Sequence, residues 1–146
     1  INKEFFNNLH FDIIIYADNA SDLDDTGIAS YKWLMNKIFS QLNEKSLVIY
    51  NMDDSEIIKL LEKVNYKTIT YGFNSKASIT ASSIGDPVSK VGFICCQQKV
   101  ICTRDGTVIE PQEYRIDMQS KDFDASSVLA AVTFAIVNGV DLSTKM

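Results

Sequence analysis

The stretch SLVIYNMDDSEIIKLLEKVNYKTITYGF, residues 46–73, decides the fold. SLVIYN (46–51) is a short apolar run without polar alternation, the pattern of a strand buried on both faces of a parallel sheet. Asp53, Asp54 or Ser55 can cap the helix that follows, whose apolar face is Ile57, Leu60, Leu61 and Val64. KTITYGF (67–73) is the next strand. Upstream, FDIIIYAD (11–18) is another buried run, and a polar loop occupies 18–27. Ile28, Tyr31, Met35, Ile38 and Leu42 then recur at steps of three and four, which is one stripe of a helix. Strand, helix, strand, helix, strand at this spacing predicts parallel strands joined by right-handed crossovers, an α/β arrangement over 11–73.

After Gly72 the pattern changes. Ser78 to Ile84, Val88 to Cys96, Lys99 to Thr103, Thr107 to Ile109 and Glu113 to Met118 are short strand-like runs. GDP (85–87), QQK (97–99), RDG (104–106) and Pro111 punctuate them, which predicts an antiparallel region over 77–118. Gly106 can supply the positive φ of a tight hairpin. SSVLAAVTFAIVN (126–138) is apolar nearly all round, so a helix over 124–139 should lie buried against the sheet and close at Gly139. Nothing resembles a linker or repeat, so 1–146 reads as a single domain with two zones.

Composition narrows the function classes. A 146-residue chain can bury a real core, and 46% hydrophobic with 23% charged residues is ordinary globular material. A formal charge of −5 with no basic stripe argues against nucleic acid. No apolar run approaches the ~20 residues that span a bilayer, which argues against membrane insertion. INKEFFNNLH is too polar for a signal peptide, and a first residue other than Met suggests a processed chain or a piece of a longer parent with other domains. Cys95, Cys96 and Cys102 lack the paired spacing of a zinc site and fit a reducing cytoplasm, as small buried hydrophobes. His10 beside a strand start reads as a packed or surface histidine, with no catalytic set around it.

Two loops leave the carboxyl ends of the predicted parallel strands, the edge where open α/β sheets bind ligands. Asp18, Asp22, Asp24 and Asp25 could hold Mg²⁺, or could stay solvated and cap the next helix. Asn51, Asp53 and Asp54 face the same choice, with capping favoured. The chain contains no GxxxxGK[ST], so it shows no loop of its own to cradle nucleotide phosphates.

Several segments, in order, resemble the central domain of the Mur ligases, closest to the member that adds a diamino acid to UDP-N-acetylmuramoyl-dipeptide. FDIIIYADNASDLDDTGIASYKWLMNKIF (11–39) follows the family outline FDvavfTN-x3-DHLDxHGT-x-eaY-x3-K-x2-LF. VIYNMDD (48–54) resembles ViNxDD, ITYG (69–72) resembles itYG, and KDFDASSVLAAVTFAIVNGV (121–140) resembles GxFNvyNalAAiavalxxGi. The resemblance implies an ATP- and Mg²⁺-dependent, amide-forming ligase acting on a UDP-muramoyl-peptide precursor in peptidoglycan synthesis. It also implies nucleotide contacts at Asn51, Asp53 and Asp54, and metal contacts at Asp22 and Asp24. The departures point to a truncated or degenerate relative. The family's metal-binding His falls on Asp22, and its carbamylated Lys falls on Met35, a soft thioether that cannot be carbamylated. Its two asparagines fall on Asp124 and Ser127. The expectation is a chain that is not catalytic alone. Alternatives are an interaction or regulatory module built on the same fold, or a relative that ligates a different substrate.

Overall fold

A computed structural model of the chain describes residues 4–17, 24–62, 66–83, 92–118 and 123–143. A short 3-10 helix, Phe5–Asn8, precedes β1 (Ile13–Tyr16), α1 (Asp25–Ser40), β2 (Leu47–Asn51), α2 (Ser55–Leu61) and β3 (Lys67–Tyr71). β4 (Ile79–Ser83), β5 (Phe93–Gln97), β6 (Ile101–Cys102), β7 (Val108–Ile109), β8 (Glu113–Ile116) and α3 (Ala125–Val137) follow. The three apolar runs of the amino-terminal half lie side by side as expected. Ile14 is level with Val48, and Val48 with Thr68, both pairings parallel.

The second half adds to the same sheet instead of standing apart from it. Six strands run in the order β1-β2-β3-β4-β5-β8. β4 meets β3 in parallel at Tyr71 and Ile79, while β5 and β8 continue antiparallel. The predicted antiparallel region is therefore the far wing of one mixed sheet, with β6 and β7 as a separate ribbon. Gly106, at φ 90, turns that ribbon. The predicted GDP turn and the Val64 position of the α2 face lie outside the described residues.

Alternation along the strands sends side chains to two cores. Ile14, Tyr16, Val48 and Tyr50 pack with Met35, Phe39, Ile57 and Leu61 of α1 and α2. Leu47, Ile49, Tyr71, Ile79, Phe93 and Cys95 pack with Leu129, Ile136 and Val137 of α3 on the other face. Burying a leucine or isoleucine in either layer stabilises the fold by roughly 1.5–3 kcal/mol. α3 ends where predicted, with Gly139 at φ 77 beyond Val137, although Phe134 on its outer face stays exposed.

Two readings change. QQK was expected as turn punctuation, yet Gln97 belongs to β5 and is buried. Its amide is fully used: Nε2 donates to Lys99 O and Ile109 O, at 2.8 and 2.9 Å, and Oε1 accepts from Tyr114 Oη at 2.8 Å. A buried amide is tolerated when all its bonds are made. Of the cysteines, Cys95 is buried and Cys96 half-buried, but Cys102 is exposed on the outer side of the ribbon opposite Val108.

Candidate functional site at the carboxyl edge of the parallel strands

Of the residues singled out in the sequence, Asn51 bonds Asp53, Asp124 bonds Ser127, and Asp24 and Asp54 each cap a helix. Asp24 caps α1, its Oδ1 accepting from Gly27 N at 2.7 Å. Asp22 lies outside the described residues. Met35 is only 6% exposed and sits in the α1–α2 core. Among the described residues no three His, Cys, Asp or Glu side chains converge to hold a metal. Asp24 thus commits one oxygen to its helix, and Met35 offers no oxygen at all.

Asn51 ends β2 and works in two directions. Its Oδ1 accepts from Asp53 N at 2.9 Å, and its Nδ2 donates to Ser126 Oγ, 3.3 Å away in the first turn of α3. Asp53 reaches across to the loop after β3, accepting from Phe73 N at 2.6 Å and Asn74 N at 2.9 Å. Gly72 makes that approach possible. At φ 143 it occupies backbone space that side chains rarely enter, and a Cβ there would meet Asp53 Oδ2 at 2.6 Å and Asn51 Oδ1 at 2.8 Å. Asp54 caps α2 through Oδ1, which accepts from Glu56 N and Ile57 N. Its Oδ2 is buried with no hydrogen-bond partner.

Beneath these loops runs a polar thread. Tyr71 Oη donates to Tyr16 O at 3.0 Å, joining the ends of β1 and β3. Burial pushes the Tyr71 phenol up to about 12, so it stays a neutral donor. At the mouth, Asp124 caps α3, its Oδ2 accepting from Ser127 N at 2.9 Å and from Ser127 Oγ. The Ser127 hydroxyl and then its backbone N–H hold the Asp124 carboxyl below the usual carboxylate range. Asp124 and Ser127 thus satisfy each other. Sequence reading named both positions without seeing this cap, although an Asp directly before an apolar run is the signal for one. It missed Ser126 and Tyr71 altogether, because their partners lie on other elements.

No protein of curated function matches the chain. Two crystal structures of MurF from Acinetobacter baumannii share its fold, with TM-scores of 0.58 and 0.55 at 13% and 14% identity. Each is matched over 90% of this chain, which spans only 26% and 27% of those chains. The family model for the Mur ligase middle domain matches residues 26–130, from the first turn of α1 into α3. By that match the chain belongs to the Mur ligase middle domain family.

Proposed function

We propose that this chain is the middle-domain portion of a relative of the ATP-dependent ligases that extend UDP-muramoyl-peptide precursors in the cytoplasm, and that it does not catalyse ligation by itself. The observation that carries the second half is Met35. It occupies the position where the resemblance implies a carbamylated lysine, and it is packed in the core of α1 and α2. A methionine there offers Mg²⁺ no oxygen, and Asp24 has one of its two carboxylate oxygens engaged by the helix cap.

What the edge retains is a seat for a nucleotide. Asn51, Asp53 and Asp54 act in this reading as its floor, holding loops in place. The diamino-acid-adding member remains the expected relative on the motifs at 11–39 and 48–54.

The test is calorimetric titration of ADP and ATP with Mg²⁺ into the protein encoded by the full reading frame that contains this chain, and into the 146-residue chain. Specific binding shifts the thermal midpoint as ligand exceeds Kd. Binding without ligation by the chain alone is the expected result. Metal-dependent amide formation by the chain alone overturns the reading.

A further inference from the structure

We propose that Phe73 is a stacking platform for the base of a nucleotide, with Lys76 and Lys99 placed toward its phosphates. The inference rests on the nucleotide-seat reading above and names the residue that holds the base. Phe73 is 51% exposed and follows the carboxyl end of β3 directly, on the edge where open α/β sheets take ligands. The other exposed aromatic rings among the described residues, Trp33 and Phe134, lie within α1 and α3.

The loop that carries Phe73 is fixed from both sides. Asp53 accepts from the amides of residues 73 and 74, and Ala77 N closes a turn on Asn74 O at 3.0 Å. Asn74 Oδ1 accepts from Lys76 N at 2.9 Å. From the other side Lys99 Nζ donates to Lys76 O at 2.7 Å, and Gln98 Nε2 to Ala77 O at 3.1 Å. The backbone that presents the ring is therefore fixed before any ligand arrives, which lowers the ordering cost of stacking on it.

Two cations beside the ring, Lys76 on its own loop and Lys99 reaching over from the loop after β5, favour a ligand that is flat at one end and anionic at the other. Asp53 is the acid beside the ring, and both its oxygens are engaged by backbone N–H groups. Asp124 faces the same edge with its carboxylate turned to Ser127. A nucleotide has the required shape and charge, and its base is adenine or uracil in the two sources the proposed function involves.

The experiment titrates ADP and UDP separately into the full-reading-frame protein and its variants. Phe73→Ala is expected to weaken the nucleotide that binds by about tenfold, with the thermal midpoint of the free protein unchanged. Phe73→Trp should bind as tightly as Phe, and its added fluorescence, measured against the Trp33 background, should be quenched on saturation. Lys76→Met with Lys99→Met should weaken binding and flatten its dependence on salt. A loss confined to ADP, or one confined to UDP, supports the platform and identifies its source. If the unaltered protein binds a nucleotide and Phe73→Ala binds it equally well, Phe73 is overturned while the seat stands. If neither nucleotide binds the unaltered protein at millimolar concentration, both fall.

Discussion

Gly72 is the residue on which the carboxyl edge depends most directly. Asn51 and Asp53 close onto it so tightly that any side chain must displace them, and its φ of 143 adds backbone strain. Gly72→Ala is expected to lower stability by about 2–3 kcal/mol, read as a shift of the urea midpoint at constant slope. An unchanged midpoint would mean that the loops do not meet as described. The sequence showed polar residues at the end of β2 and offered two fates for them, capping or ligation. Asp54 took the first. Asp53 took neither, because its partners lie 20 and 21 residues further along, and no local pattern encodes that distance. Met35 was legible for the opposite reason. Its burial follows from three-and-four spacing along α1 alone, and the core confirms it.

Among the elements, α3 shows how a cap becomes a pH response. Asp124 has its carboxyl lowered in the folded protein by Ser127, so its ionised form is favoured by folding. That contribution is present above the unfolded carboxylate value of about 3.9 and disappears as pH falls through the lower folded value. Asp124→Asn should therefore be less stable than the unaltered protein at neutral pH, and the gap should close below about pH 4. Thermal melts at several pH values decide it, and a gap that widened in acid would reverse the sign argued here. α3 as a helix was plain in the sequence, since a long apolar run closed by Gly139 leaves few alternatives. The wing of the sheet was less plain. Short strands signal hairpins, but whether β4 joins β3 or starts a new sheet rests on nonlocal pairing at Tyr71 and Ile79. Gln97 was misread for a similar reason: its amide is satisfied by Lys99, Ile109 and Tyr114 together.

At the scale of the whole molecule, one sheet separates two cores, with α1 and α2 on one face and α3 on the other. Neither layer can come apart without exposing strands shared with the other. Ile57→Ala and Leu129→Ala, one in each core, should each cost about 2–5 kcal/mol, and the double variant should cost close to their sum. Trp33 fluorescence, reporting from α1, and far-ultraviolet circular dichroism should trace one urea transition. Two separated transitions would show that the halves unfold independently. The two ends of the sheet are built differently. β8 carries Glu113 and Arg115, both exposed, with Pro111 just before it. β1 has only Ile13, Ile14, Ile15 and Tyr16, and among the described residues it pairs on one side alone. Ile13, Ile14 and Ile15 carry no charge that would repel an incoming chain, a composition that favours strand addition. At high concentration the isolated protein should scatter light through end-to-end sheet growth, and Ile15→Lys should raise the concentration at which clouding begins.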